Sequence, residues 1–287
     1  MRKKLVGSGM ILGVLLLVSC SGGSNKTADV TYSKAEIESA DSVIRYYDTA
    51  LALLKNVVKE KEVNAVLGYM EQEGKAPSIP AIAPPAVSEK ELSDLMNPGD
   101  CFNAETQQNL KQSFSGLFSA RALFYTNFDQ YLADIKAKKY AKAKKLVNRG
   151  YQFSTEMSEY KQNIFDILSP FTEKAQQVVL SGNPLKEQLM AMKKMTLDMQ
   201  SITNLYSRKH NMDGVRIDLK VSELNHELEV AKKLPVVAGY DSETKSFQTF
   251  LGKVETFLKQ VHQIREKAVF TEADYDMLSS AYETTII

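Results

Sequence analysis

Residues 110–135, LKQSFSGLFSARALFYTNFDQYLADI, carry a helical pattern rich in aromatic residues. Large apolar side chains recur in steps of three, four or seven positions, which places them on one face of an α-helix. This face consists of Leu110, Phe114, Leu117, Phe124, Phe128, Tyr131 and Ile135. Because so much aromatic surface is costly to leave in water, we expect a long helix at the centre of an all-α protein.

Helical spacing recurs on both sides of this stretch. Before it, apolar residues recur every three or four positions from Ile37 to Val58. This spacing breaks at Lys61 and resumes from Val66 to Met70, and we predict one helix over about 34–73. After it, we predict helices over about 153–178, 184–202, 224–234, 241–264 and 271–282. A break at Ser169-Pro170 predicts either a kink or a restart of the third helix. The pattern therefore predicts an all-α, elongated bundle of about six helices that forms one domain over 34–287.

Two segments do not follow the helical period. Residues 75–100 hold five of the eight prolines, so we expect a long proline-rich connection, either a strap over the bundle or a binding loop, with one short turn at Glu89 to Leu95. Of the two we favour the strap. Residues 215–221 alternate apolar and polar side chains as a strand does. Because a lone strand leaves its backbone groups unpaired, we interpret this segment as irregular or helical.

The amino-terminal residues have the form of an export signal. A cationic start at Arg2 to Lys4 precedes an apolar run over 5–18, which is shorter than the roughly 20 residues of a membrane span. The run ends in Leu17-Val18-Ser19-Cys20, which resembles the lipobox of bacterial lipoproteins. The alternative is an ordinary secretory signal that is cleaved elsewhere.

The lipobox resemblance implies a cleaved signal peptide followed by a lipid-anchored tether. Residues 1–19 would be a signal peptide, and Cys20 would carry a thioether-linked diacylglycerol with acyl chains such as palmitate. Residues 20–33 form a polar Gly/Ser tether, whose reach is roughly 20 Å. The resemblance thus predicts attachment to a membrane through the lipid on Cys20, because two or more acyl chains anchor a protein stably.

Charge and cysteine content limit the possible functions. Removing residues 1–19 takes away three cations and no anions, so the formal net charge falls from +1 to −2. A body near neutrality argues against general nucleic-acid binding. Cys101 is left without a cysteine partner once Cys20 is lipidated, and we expect its thiol to be buried.

No residue pattern predicts catalysis. Neither a phosphate-binding loop nor a Gly-x-Ser-x-Gly nucleophile motif occurs in the body of the chain. His226-Glu227 begins like a zinc-protease motif, but Val230 stands where the second histidine is required. His262 and Glu266 are four residues apart on a predicted helix, which is at most an incomplete metal site. We therefore predict no enzymatic activity, no metal site and no cofactor; the third histidine, His210, lies apart from the other two.

Two clusters leave alternatives open. Met190, Met192, Met195 and Met199 could bind cuprous copper through thioethers, but three of them share a stripe with apolar residues and more simply fill a core. The second cluster holds seven cations in fourteen positions: Lys136, Lys138, Lys139, Lys142, Lys144, Lys145 and Arg149. It is either a patch for an anionic lipid or polysaccharide, or a solvated helical stretch whose charges favour a helix carboxyl end.

The chain resembles the YiiG-like bacterial lipoproteins, an all-helical family of unknown function. The resemblance lies in the export signal, in Ile44-Arg45-Tyr46-Tyr47-Asp48, in the proline-rich connection and in the aromatic helix. It implies a helical fold in the cell envelope and supplies no functional residues. We expect the lipid anchor to lie in the outer membrane. Because Ser21-Gly22-Gly23 lacks the acidic run that is often tied to export to the cell surface, we expect the body to face the periplasm.

The leading hypothesis is a non-enzymatic, membrane-tethered binding or scaffolding module. Its partner would be an unknown envelope protein or polysaccharide, and not a nucleic acid. The alternative is a periplasmic receptor for a small ligand or a metal, which would use a groove between helices.

Overall fold

The structure is a computed structural model that describes residues 31–73, 75, 78–82, 88–208, 212–267 and 269–285. Within these residues the chain forms nine α-helices and no strand, which confirms the all-α prediction, although six helices is too few. The helices are α1 Lys34–Val57, α2 Glu60–Glu71, α3 Glu89–Met96, α4 Ala104–Lys136, α5 Tyr140–Val179, α6 Lys186–Tyr206, α7 Gly214–Ala231, α8 Asp241–Arg265 and α9 Glu272–Thr285.

The single helix predicted over 34–73 is wrong, because the chain breaks between α1 and α2. Val58 takes an extended conformation with φ −117°, and the side chain of Arg121 donates a hydrogen bond to the Val57 carbonyl at 2.8 Å. The break falls beside Lys61, where the apolar period shifts. Two shorter helices can each bury their own apolar face, which one straight helix could not do with both.

The long antiparallel hairpin of α4 and α5 organises the first half of the chain. The predicted face of α4 is buried from Leu110 to Tyr131, with every large side chain on it exposed by 1% or less. Gly116 lets the two helices approach closely, because a Cβ at this position would overlap the ring of Tyr160. Helix α5 begins at Tyr140 rather than near residue 153 and continues through Pro170, so the restart, one of the two predicted alternatives, does not occur.

The connection over 88–102 lies against the bundle. The short turn predicted at Glu89 to Leu95 is helix α3. It begins with a capping box between Ser88 and Glu91. Leu95 is fully buried, and its carbonyl accepts a hydrogen bond from the Tyr46 hydroxyl at 2.8 Å. The ring of Phe102 packs edge-on between those of Tyr46 and Phe171, with centroid distances of 5.2 Å to each. This part of the connection behaves as the strap.

Two hydrophobic cores follow one another along the chain. The first draws its buried residues from α1 to α5, and the second draws them from α6 to α9. A buried polar seam joins them, in which the Asn204 amide donates to the Ser158 carbonyl at 3.2 Å and to the Gln162 side chain at 3.0 Å. A single domain over 34–287 stays a prediction.

Helix α7 explains the strand-like alternation at 215–221. Ile217 and Val221 face the second core with 2% and 6% exposure, whereas Val215 and Leu219 are exposed by 83% and 56%. A helix with apolar side chains on two faces mimics the period of a strand over a few residues. The helical interpretation is confirmed.

Candidate functional site

The predicted signal peptide over 1–19, the predicted lipidation site Cys20 and residues 21–30 of the predicted tether lie outside the described residues. Lipidation of Cys20 therefore stays a prediction. Among the residues that the structure describes, no helix is both long and apolar enough to cross a bilayer.

The predicted methionine and histidine candidates do not converge. Met195 and Met199 are fully buried in the second core, where they fill space among aliphatic and aromatic side chains. His262 is exposed on α8, Glu266 is exposed directly after the end of α8, and His226 is exposed on α7. His210 lies outside the described part of the chain. Within that part, no group of three or more His, Cys, Asp or Glu side chains could hold a metal ion.

Cys101 is half-buried rather than fully buried. Its thiol donates to the Pro98 carbonyl at 3.5 Å, and it has no cysteine partner among the described residues. Burial is the main cause that raises the pKa of the thiol. Because the thiolate is the reactive form, this position favours a packing role over nucleophilic chemistry.

The turn between α4 and α5 is closed by a Schellman motif. The Lys139 backbone N–H donates to the Asp134 carbonyl at 2.8 Å, and that of Lys138 donates to the Ile135 carbonyl at 2.9 Å. Lys138 sits at the position of the motif that favours glycine and has φ 58°. A lysine is therefore held in a backbone conformation that costs about 1–2 kcal/mol for residues with a Cβ.

We call residues 136–149 the cationic tip. All seven of its lysine and arginine side chains are exposed, and none forms an ion pair with a described acidic residue. The sequence from 135 to 155 contains no Asp or Glu. Lys142, Lys145 and Arg149 lie on one face of α5, since they are three and four positions apart. The tip is thus a concentrated positive surface on a body of net charge near zero.

Helix-end electrostatics explain only part of this charge. Lys136, Lys138 and Lys139 lie at the carboxyl end of α4, where cations favour the helix dipole, so the interpretation that the stretch suits such an end holds for these three and not for the other four. Lys142 lies in the first turn of α5, which has no acidic residue and no side-chain cap from Lys139, and Lys144, Lys145 and Arg149 lie further along the helix. Cations near a helix amino end oppose the helix dipole by typically about 0.3–1 kcal/mol each.

The cationic tip lies far from the start of the bundle. Helix α1 runs toward the tip, because Tyr46 packs beside Phe102 whereas the later Val57 bonds to Arg121. Tyr46 lies level with Phe171 of α5, because Phe102 packs against both rings. Phe171 is 31 residues along α5 from Tyr140, which is roughly 46 Å. The tether joins α1 at Lys34, which lies further still from the tip.

A second candidate is a shallow groove of about 410 Å³ between α4 and α5. Its lining is polar apart from one side chain and consists of Asn109, Gln112, Ser113, Asn163, Asp166 and Ile167. The Asp166 carboxylate is paired with Arg216 of α7 and accepts from the Gln162 amide at 3.0 Å. The groove therefore presents amide donors and acceptors with little net charge, a chemistry suited to a neutral hydroxylated ligand.

The sequence predicts the residues of the cationic tip, whereas it predicts a groove between helices without the residues that line it. The tip is contiguous in sequence, so its charges can be read directly. The groove combines side chains of α4 and α5 that are about 50 positions apart. Only the register of the hairpin brings them together, and no local pattern reports that register.

Comparison with known proteins identifies related chains of unknown function. Residues 34–182 match the domain of unknown function DUF6845, and residues 184–287 match the DUF3829-like C-terminal domain. An alpha helical protein from Bacteroides fragilis is 61% identical, with 89% of this chain and 100% of that chain covered and a TM-score of 0.82. An uncharacterized DUF3829-like protein from Bacteroides thetaiotaomicron is 47% identical, with coverage of 88% and 99% and a TM-score of 0.79. No curated protein matches the chain.

Proposed function

Given that the chain belongs to the DUF3829-like family of unknown function, we propose that it is a membrane-tethered, non-enzymatic binding or scaffolding protein of the bacterial envelope. In this proposal the lipid on Cys20 holds the body at the outer membrane, and the body faces the periplasm. The YiiG-like lipoprotein label belongs to the same proposal.

The observation that carries the proposal is the order of the first twenty residues. A cationic start, an apolar run over 5–18 and Leu17-Val18-Ser19-Cys20 follow one another without interruption. The thiol of Cys20 falls where the apolar run stops. At this position one enzyme can transfer a lipid to the thiol, and a signal peptidase can cleave the bond before the cysteine. A polar Gly/Ser segment then separates this point from α1.

The arrangement of the body supports a scaffolding role. The tether joins at one end of the hairpin and the cationic tip lies at the other, so the tip is presented away from the anchored end. Helix α4 supplies a rigid aromatic core between the two ends. A stiff body of this form suits a protein that holds a partner at a fixed distance from a membrane.

The tether is tested by replacing its cysteine. We expect the wild-type protein to incorporate a labelled palmitate analogue and to sediment with membranes after a high-salt wash. Cys20→Ser should lose both the label and the salt-resistant sedimentation. Cys101→Ser is the matched control and should keep both, because Cys101 lies in the folded body. An unlabelled wild-type protein, or sedimentation of Cys20→Ser that survives the salt wash, would refute the tether.

The groove favours a second candidate function, a receptor for a small hydroxylated ligand. Its amide side chains on two helices offer both donors and acceptors. A thermal-shift screen with neutral saccharides tests this candidate, and Asn163→Ala should abolish any stabilisation that is found. A set of unchanged melting temperatures would dispose of it.

A further inference from the structure

We infer that the cationic tip binds a linear acidic glycan, a polysaccharide strand that carries carboxylate or phosphate groups at intervals. This inference deepens the proposed function. It rests on the proposed function only for the envelope location in which the protein would meet such a strand. The contact would use Lys138 and the face of α5 that holds Lys142, Lys145 and Arg149.

The first argument is that the tip carries charge at a cost to the fold. Lys138 occupies a position that favours glycine, and Lys142 lies in the uncapped first turn of α5. Each of these features opposes stability. Exposed lysines that merely keep a protein soluble need not stand at such positions, so a requirement other than folding explains them best.

The second argument is that these cations are available to a ligand. Elsewhere in the described chain, exposed lysines often pair with acids, as Lys232 pairs with Glu229 and Glu255 at 2.8 Å. No acid in the described part of the chain forms such a pair with a cation of the tip. An arriving anion therefore does not have to displace a protein carboxylate.

The third argument is the shape of the charged surface. Lys142, Lys145 and Arg149 extend along α5 over seven residues, or roughly 10 Å. Lys138 in the turn continues the series toward the end of the hairpin. Successive cations on such a face have Cβ atoms roughly 5–6 Å apart, which suits a flexible chain with repeated anionic groups.

A flat lipid bilayer fits this surface less well. A bilayer that met the hairpin end-on would contact the turn but would leave Arg149 nine residues, or roughly 14 Å, below Tyr140. The apolar side chains of this segment are also turned inward, since Ala143 and Leu146 are exposed by only 1% and 8%. Interfacial membrane helices need an exposed apolar face. The tip offers one large side chain of this kind, Tyr140, which is 58% exposed.

Tyr140 instead suits a sugar chain. An exposed tyrosine ring provides a flat apolar surface with a polar hydroxyl at its edge. The C–H face of a pyranose ring can pack on such a surface while its acidic groups meet the neighbouring lysines. The same residues thus recognise both the charge and the carbohydrate part of an acidic glycan.

The test uses full-length protein in mild detergent and polygalacturonate as a linear acidic probe. The tip variant combines Lys142→Gln, Lys145→Gln and Arg149→Gln. The control variant combines Lys90→Gln, Lys174→Gln and Lys245→Gln, which removes the same charge from exposed positions elsewhere. We expect the tip variant to bind at least about fivefold more weakly, as three exposed charge contacts would give, and the control to bind within about twofold of the wild type.

Salt dependence and competing probes complete the test. The logarithm of the wild-type affinity should fall linearly with the logarithm of the salt concentration, and the slope should be smaller in the tip variant by up to about three. Tyr140→Ala should weaken binding to polygalacturonate but not to polyphosphate, which has no sugar ring. Unchanged melting temperatures of the variants would show that folding is not the cause.

Several results would overturn the inference. Equal losses in the tip and control variants would show that net charge alone governs binding. Stronger binding to phosphatidylglycerol vesicles or to duplex DNA than to polygalacturonate would assign the tip to a different macromolecule. Because detergent-solubilised protein needs no lipid on Cys20, a negative result here would leave the tether standing, and loss of the tether would leave this binding intact.

Discussion

The two ends of the α4–α5 hairpin follow opposite rules. At the end near Phe102, Asn103 caps α4 through a 2.8 Å hydrogen bond from the Thr106 backbone N–H, and Glu105 lies in the first turn. Aromatic rings from three segments close this end. At the other end, α5 begins without a cap or an acidic residue, and Lys138 has a left-handed conformation.

Within one pair of helices, this difference distinguishes an end that stabilises the fold from an end that we propose to bind a ligand. The Phe102 end satisfies capping, dipole and packing requirements together, as expected where a segment serves the fold. At the cationic tip α5 begins without a side-chain cap and Lys142 in its first turn opposes the helix dipole, while the same two helices remain well packed below it. Features that break local rules in an otherwise consistent fold are the ones most often retained for function.

The largest effect is expected in the aromatic core that joins the two ends. Phe114 is fully buried, and Phe114→Ala should lower the free energy of unfolding by about 3–5 kcal/mol, because the cavity cannot collapse. Leu123→Ala is the control on the same helix, since Leu123 is 47% exposed, and should cost less than about 1 kcal/mol. Chemical denaturation measures both. Similar losses in the two variants would contradict the placement of the core face.

Close approach of the hairpin helices predicts a somewhat smaller effect. Gly116→Ala should destabilise the protein by about 1–3 kcal/mol, because the new methyl group would force the Tyr160 ring aside. Gly252→Ala on α8 is the matched control, since nothing lies within 4 Å of its added Cβ. It should gain about 0.5–1 kcal/mol from the better helix propensity of alanine. If both variants gain stability, the close packing at Gly116 is wrong.

The cap of α4 tests the stability rules at the Phe102 end. Asn103→Ala removes the acceptor for the Thr106 N–H and should cost about 1 kcal/mol. Asn103→Asp keeps an acceptor at the helix amino end and should stay near the wild type or above it. Urea denaturation distinguishes them, and an equal loss in both variants would show that the side chain does not act as a cap.

The sequence predicted features that repeat at the helical period or lie close together in the chain. The α4 face, the buried methionines of α6 and the cationic tip are of this kind. Two features escaped prediction, the break after Val57 and the start of α5 at Tyr140. The break depends on a tertiary contact, the hydrogen bond from Arg121 to the Val57 carbonyl. The start of α5 lies among exposed residues whose apolar side chains follow no clear helical period. The groove depends on hairpin register, which brings Ser113 and Asp166 to the same groove only after folding.

Lys138 offers the smallest effect and the sharpest contrast between the two ends. Lys138→Gly relieves a left-handed conformation that costs about 1–2 kcal/mol, but it also frees the unfolded chain by about 0.4–1 kcal/mol. The expected net gain in unfolding free energy is therefore about 0.5–1 kcal/mol, measured by thermal and urea denaturation.

The same substitution should weaken binding to polygalacturonate, because it removes one cation from the tip. Lys138→Ala separates the two contributions, since it removes the charge but keeps the strained backbone, and should lose affinity without gaining stability. A gain in stability with unchanged affinity would mean that Lys138 is merely a poorly chosen turn residue. A gain in stability together with a loss of affinity would show that this end of the hairpin gives up folding free energy for recognition, which the Asn103 end does not do.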